Sequence, residues 1–178
     1  MKALWINTAA PNLGAERLNI IGQEFPTIHA HSLVGSKDTL PAAARGKVAL
    51  ISIAFERSAH AMLDSWTNLF RQAFGKNSGY VIYEVSMIDT LWGELMLSTI
   101  DSGMRFSIPE EKHPFVLTYY GNSLDIRHFL SMDDRSLGYV FLLDTNGTIQ
   151  WAGKGYSTDS QVWDLINRAK ELERSSDQ

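Results

Sequence analysis

Residues 48–63, VALISIAFERSAHAML, decide the fold of this chain. Residues 48–55 are apolar at nearly every position and rich in β-branched side chains, which is typical of a strand buried on both faces of a parallel sheet. Ser58 is a candidate N-cap for a helix that ends at Gly75. The apolar residues that recur at helical spacing in between are Met62, Leu63, Trp66, Leu69, Phe70 and Phe74. We therefore expect a strand that passes directly into a helix.

The junction between them, residues 57–60, is a common place for chemistry in α/β proteins. A helix N-terminus offers unpaired N–H groups and the positive end of a dipole. Ser58 and His60 lie two positions apart, so their side chains diverge, and no acid is placed to orient the imidazole. We expect Ser58 to cap the helix and His60 to be a solvated first-turn residue. A cysteine-free enzyme acting around His60 remains the alternative.

Composition narrows the function classes. The 178 residues carry a formal net charge of −4, which argues against nucleic acid as the main partner. No window approaches the ~20 apolar residues that span a bilayer, and residues 1–18 lack the apolar stretch of a signal peptide. There is no cysteine, which excludes disulfides, thiolate nucleophiles and cysteine zinc sites.

Strands and helices alternate after the junction. We predict strands over residues 80–86 and 115–120, and helices over residues 90–100 and 124–130, the last with Ser123 as its cap. Such alternation requires right-handed crossovers between parallel strands.

The C-terminal part reads as a hairpin followed by a helix. Residues 139–144 and 148–152 are apolar runs that flank Thr-Asn-Gly, a strong hairpin signal. Residues 158–161, TDSQ, form a capping box for the last helix.

The fold class that follows is α/β, with a central mixed sheet and helices on both faces. We expect residues 1–20 to be an N-terminal arm and residues 21–178 to form one domain. Residues 22–47 are interrupted by Gly and Pro and predict a loop with short extended pieces. His29 and His31 would share a face of such a piece. A zinc site needs three or four ligands, so we expect no metal here. Binding of a metal or a small ligand through these two histidines remains an alternative function.

These residues also resemble a known superfamily. Phe25-Pro26, Gly46-Lys47 and residues 141–149, FLLDTNGTI, are similar to segments of the thioredoxin-like fold in its peroxiredoxin-like variant. Within it, residues 138–159, GYVFLLDTNGTIQWAGKGYSTD, resemble the signature of the mitochondrial F-type ATP synthase assembly factors.

Two further segments extend that resemblance to about residues 45–172. Residues 119–130, YYGNSLDIRHFL, are similar to the family's Tyr-Gly-x-x-Leu-Asp-x-Arg segment, and residues 83–88 fit its second strand loosely. One position departs, because Gln150 stands where the family usually has a basic residue before Trp151. If that base contacts a partner, the identity of the partner of this chain is open.

The resemblance implies lost redox chemistry. Thioredoxins carry Cys-x-x-Cys where this chain has residues 58–61, SAHA, and a proline where it has Gly138. Thiol–disulfide and peroxidase activity are therefore excluded. The surface that remains is the one thioredoxins use to grip extended peptides.

The resemblance thus implies a redox-inactive assembly factor or chaperone that binds a protein, an ATP synthase membrane subunit, with no cofactor. We expect a monomer or weak homodimer near a membrane, in the cytoplasm or at the matrix face of the inner mitochondrial membrane. Trp151 has two readings, since its ring either packs in the core or faces out. The predicted partner-binding residues are Arg57, Ser58, His60, Leu137, Gly138, Tyr139 and Trp151.

Overall fold

A computed structural model of the chain describes residues 20–89 and 103–176. The predicted helix over residues 90–100 and nearly all of the predicted arm lie outside the described residues. Among the described residues, no helix is both long and apolar enough to cross a membrane.

Seven strands and three helices lie wholly within the described residues, and residues 103–107 are also helical. The strands are β1 (Ile28–Ser32), β2 (Lys37–Leu40), β3 (Val48–Ala54), β4 (Tyr80–Ile88), β5 (Val116–Tyr120), β6 (Tyr139–Leu143) and β7 (Ile149–Lys154). The helices are α1 (His60–Phe74), α2 (Leu124–Phe129) and α3 (Asp159–Ser176), and short 3₁₀ turns span Ala42–Ala44, Arg57–Ala59 and Glu110–Phe115.

One mixed sheet contains all seven strands, in the order β2-β1-β5-β4-β3-β6-β7. β3, β4 and β5 run parallel, while β6 and β7 continue the sheet antiparallel on one side and β1 and β2 on the other. The α/β class with a mixed sheet is confirmed.

β3 is the centre of the molecule, and all seven of its residues are buried. Its alternate side chains enter two separate cores, since Leu50 packs on one face and Ile51 on the other. The interpretation of this run as a strand buried on both faces is confirmed.

Helices cover both faces of the sheet. The core on the face of α1 and α3 is built around Trp66, and Leu165 of α3 joins it. The opposite core contains Phe141, and Ile126 of α2 packs against it.

The hairpin and the capping box are as predicted. Asp144 Oδ1 accepts hydrogen bonds from the backbone N–H groups of Asn146 and Thr148, and Gly147 has a φ of 88°, which favours glycine. At the start of α3, Gln161 N donates to Thr158 Oγ1 at 3.4 Å, and Thr158 N donates to Gln161 Oε1 at 3.1 Å.

The N-terminal part contains the short extended pieces that were predicted, but their pairing into the sheet was not predicted. The segment expected to be a loop with short extended pieces forms the antiparallel pair β1 and β2, which extends the sheet beyond β5. β2 shows no strand pattern in the sequence, because it begins with the charged residues Lys37-Asp38 and an edge strand needs no apolar run.

Candidate functional site

The junction after β3 contains a turn that the sequence did not predict. Arg57–Ala59 is a 3₁₀ turn closed by Ala59 N donating to Glu56 O at 3.1 Å, and α1 begins at His60 with Ala59 as its N-cap residue. Ser58 therefore lies one residue too early to cap α1, and its hydroxyl donates to Glu56 Oε2 at 3.4 Å. The expectation that Ser58 caps the helix was wrong.

Ser58 and His60 do not form a catalytic pair in this geometry. The Ser58 hydroxyl is directed to Glu56, and within the described ranges no acid hydrogen-bonds the His60 ring. His60 is half-buried rather than fully solvated. With Arg57 it lines a groove at the end of β4.

The loop before β6 meets α1 at Gly138. A Cβ placed on Gly138 would lie 2.7 Å from Leu63 Cδ2 and 3.2 Å from the Ala59 carbonyl oxygen. Gly155 N donates to Gly138 O at 2.8 Å and fixes this part of the loop against the end of β7. The structure thus brings the two predicted segments, residues 57–60 and 137–139, together.

Tyr139 does not contribute its side chain to the surface between them. Its ring is 3% exposed because β6 directs it into the core on the face opposite α1, so the expectation that it lines the surface was wrong. The Tyr139 hydroxyl donates to Asp134 O at 2.8 Å and accepts from Asp134 N at 3.0 Å. Burial raises the pKa of this hydroxyl, so it remains a neutral donor.

Asp134 organises the tip of the same loop. Its Oδ1 accepts hydrogen bonds from the Ser136 hydroxyl at 2.6 Å and from Ser136 N at 2.9 Å. These bonds hold the pKa of the Asp134 carboxyl below its usual value.

A cluster around Phe55 was missed by the sequence analysis. Arg127 and Arg135 both stack over the Phe55 ring, each with its guanidinium carbon 5.6 Å from the ring centroid. Arg135 also pairs with Asp89 at 3.4 Å, and Asp89 Oδ1 accepts from Ser123 N at 3.0 Å. The one available signal was Arg127, which is the arginine of the Tyr-Gly-x-x-Leu-Asp-x-Arg segment.

Trp151 packs between α1 and α3 and makes no described contact with residues 57–60. Its ring is half-buried, with its centroid 5.3 Å from that of Trp66 in an edge-to-face arrangement. Its indole N–H donates to Asp164 Oδ2 at 2.9 Å. Both readings of this residue are partly met, because the ring joins the core and leaves part of its surface accessible.

Gln150, the departure from the family pattern, has two partners inside the chain. Its Oε1 accepts from Arg168 Nη2 at 2.7 Å, and its Nε2 donates to Asp144 Oδ2 at 2.9 Å. The positive charge next to position 150 therefore comes from Arg168 on α3.

His29 and His31 lie on β1, as expected of an extended piece. His29 Nδ1 is 3.0 Å from Thr39 Oγ1, and His31 makes an edge contact with Tyr120. In the described part of the chain, no three His, Cys, Asp or Glu side chains are grouped so that they could hold a metal ion.

Solved structures with the same fold include thiol–disulfide proteins and an assembly protein. One assigned as the thiol:disulfide interchange protein DsbE from Chlorobium tepidum is 14% identical, with a TM-score of 0.58 over 85% of this chain and 96% of that one. The thioredoxin domain of a thiol-disulfide oxidoreductase from Bacteroides vulgatus is 16% identical, with a TM-score of 0.52 over 85% and 97%.

A third solved structure is BsSco, a member of the Sco family of cytochrome c oxidase assembly proteins. It is 15% identical, with a TM-score of 0.56 over 85% of this chain and 94% of that one. These TM-scores establish a thioredoxin-like fold, and at such low identities they establish nothing further. No curated protein sequence matches this chain.

Family membership rests on a longer match. The model of the family described as "ATP10 protein" matches residues 22–172, far more than half of the chain. That range contains β1 to β7, the junction and the loop before β6, and it confirms the resemblance found in the sequence. The chain is a cysteine-free, thioredoxin-fold member of the ATP10 protein family.

Proposed function

We propose that this chain is a redox-inactive assembly factor that binds and chaperones a membrane subunit of an F-type ATP synthase. Family membership supports the assembly role, and the lack of cysteine removes the thiol chemistry of its structural neighbours. The binding step is non-covalent and needs no cofactor.

The observation that carries the proposal is the meeting of the junction with the loop before β6. We call the surface formed by residues 57–60 and 136–138 the edge surface. Arg57 and Ser58 are exposed on it, and His60 and Leu137 are half-buried. Gly138 holds the two segments in contact at Ala59.

The backbone at Leu137 suits an extended partner. Leu137 N donates to Asp134 O at 3.3 Å, whereas its carbonyl oxygen accepts no hydrogen bond from any residue that the structure describes. A partner segment laid along the loop would satisfy that oxygen with its own N–H, as in recognition by strand addition. Tyr139 contributes to this surface by fixing the loop, whereas Trp151 lies outside it, between α1 and α3.

The edge surface carries a positive charge at Arg57 that can be tested by mutation. Arg57 has no acidic partner among the described residues. Its guanidinium is therefore available to a carboxylate or a carbonyl of the bound segment.

We further propose that the chain acts as a monomer or weak homodimer. It would work beside the membrane that holds the synthase, at the matrix face of the inner mitochondrial membrane or in the cytoplasm of a bacterium.

The test is complementation in the native host. Cells that lack the gene should accumulate less assembled ATP synthase on native gels, and the wild-type gene should restore it. Arg57→Glu should fail to restore assembly, while Lys170→Glu, a matched charge reversal at an exposed position on α3, should succeed. Normal assembly in cells without the gene would contradict the proposal.

A further inference from the structure

We propose that Arg127 is a positioning residue that fixes the loop before β6 in its partner-binding shape. This inference rests on the proposed function for the binding step only. It arises from the contacts of one side chain on α2, which does not itself belong to the edge surface.

Arg127 ties the first part of the loop to α2. Its Nε donates to the Met132 carbonyl at 3.1 Å, and its Nη2 donates to the Asp133 carbonyl at 3.3 Å. Met132 N donates back to the Arg127 carbonyl at 2.8 Å. The planar guanidinium is suited to this role, because it offers several N–H groups in a fixed arrangement to neighbouring acceptors.

The loop needs such a tie at this place. Ser131 adopts a φ of 53°, a left-handed conformation that residues other than glycine rarely occupy. Strained backbone persists only where the surrounding contacts hold it. The bonds from Arg127 begin at the next residue, so they hold the chain immediately after the strained one.

The same guanidinium links the loop to the end of β3. It stacks over Phe55, which lies two residues before Arg57 in the chain. Arg127 thereby fixes the loop against the segment that leads into the junction. Loss of its fork would let the loop shift relative to residues 57–60 and would misplace the Leu137 carbonyl.

Arg135, which lies in the loop itself, is the control for the two bonds to residues 132 and 133. Its guanidinium carbon also lies 5.6 Å from the centroid of the Phe55 ring. Its described polar partner, however, is the Asp89 carboxylate and not a loop carbonyl. Replacing Arg135 removes a cation–π contact and one positive charge, as replacing Arg127 does, without removing the bonds to residues 132 and 133.

The experiment compares Arg127→Gln, Arg127→Lys and Arg135→Gln in the full chain by amide hydrogen exchange. Losing two hydrogen bonds from a charged donor should speed exchange of residues 132–137 at least about tenfold. Exchange in β3 and β6 should not change. Lysine should not rescue the loop, because an ammonium group cannot reproduce the fork. Arg135→Gln removes the ion pair with Asp89 but keeps both bonds from Arg127, so exchange of residues 132 and 133 should stay close to that of the wild type.

Crosslinking of each variant to native host membranes then reads out binding. Capture of the ATP synthase membrane subunit should fall for both Arg127 variants and fall less for Arg135→Gln, which keeps the bonds to residues 132 and 133. Unchanged loop exchange in Arg127→Gln would overturn the inference, as would faster exchange throughout the molecule. If the wild type also captures no subunit, the proposed function fails, while the exchange result still decides whether Arg127 holds the loop.

Discussion

Two regions beside α1 differ in exposure, because one is packed and hydrogen-bonded within the fold and the other faces solvent. The first region, which we call the tryptophan clasp, consists of Trp66, Trp151, Gly153 and Gly155. The second is the exposed junction, residues 57–60. In the clasp, Trp66 is fully buried and its indole N–H donates to Gly155 O at 2.7 Å. In the junction, Arg57 and Ser58 face solvent.

The clasp explains why its glycines occur where they do. A Cβ on Gly153 would lie 2.6 Å from Trp151 Cη2 and 3.2 Å from Trp66 Cη2, so only glycine leaves room for both rings. Gly155 has a φ of 70° and turns the chain toward α3. Residues 138–159, which carry the most specific part of the family resemblance, therefore pack the end of β7 against α1.

The two regions separate residues that maintain the fold from residues that could contact a partner. A motif that is buried and internally bonded identifies the fold, whereas a partner must be recognised by groups that the fold leaves accessible. The following predictions separate the two regions.

Truncating the clasp should have the largest effect. Trp66→Ala should lower the free energy of unfolding by about 3–5 kcal/mol, because it empties a buried site and leaves Gly155 O unpaired. Trp163→Ala is the control, since this ring is 70% exposed, and it should change stability by less than about 0.5 kcal/mol. Urea denaturation measures both. Equal losses would mean that the clasp does not hold the fold.

Filling the clasp should cost less than emptying it. Gly153→Ala should destabilise the protein by about 1–3 kcal/mol, since the methyl group would overlap the Trp151 ring. Gly153→Ala should destabilise the Trp151→Ala variant less than it destabilises the wild type, because the ring that causes the overlap is gone. Strictly additive losses in the cycle would assign the cost of Gly153→Ala to the backbone instead.

Acid should loosen the tip of the loop before β6. The pKa of Asp134 is lowered in the fold by the bonds from Ser136, so its contribution is complete above the usual aspartate pKa of about 3.9 and is lost as pH falls below it. Amide exchange of Ser136, corrected for its intrinsic pH dependence, should therefore rise only below about pH 4. Asp134→Asn should remove this pH dependence. A transition centred near pH 6 would indicate another titrating group.

Changing the junction should have the smallest effect on stability. Arg57→Glu should alter the free energy of unfolding by less than about 0.5 kcal/mol, because the side chain is exposed and has no acidic partner among the described residues. Urea denaturation of this variant beside Lys170→Glu checks the expectation. A loss comparable to that of Gly153→Ala would make Arg57 part of the fold instead of the edge surface.

Local patterns predicted the centre of the fold and the C-terminal hairpin. β3 and β6 are apolar because both faces are buried, and the Thr-Asn-Gly turn has a local hydrogen-bonding cause at Asp144. β1 and β2 were not predicted as a pair, because the charged residues of β2 give no strand pattern.

The site was harder to predict, since it depends on contacts between distant segments. Tyr139 looks like a surface residue only until β6 is assigned a face, and the face follows from its pairing with β3. The Phe55 cluster joins α2 and the loop before β6 to the end of β3, a combination that no local spacing encodes. A 3₁₀ turn over Arg57–Ala59 precedes α1, so the buried Ala59 occupies the N-cap position that was predicted for Ser58.

The most direct test of the edge surface is a site-specific crosslinking map in native host membranes. A photoreactive residue placed at position 57, 136 or 170 of the full chain should capture the ATP synthase membrane subunit from positions 57 and 136 and not from position 170 on α3. Capture from position 170 alone, or equally from all three positions, would contradict binding at the edge surface.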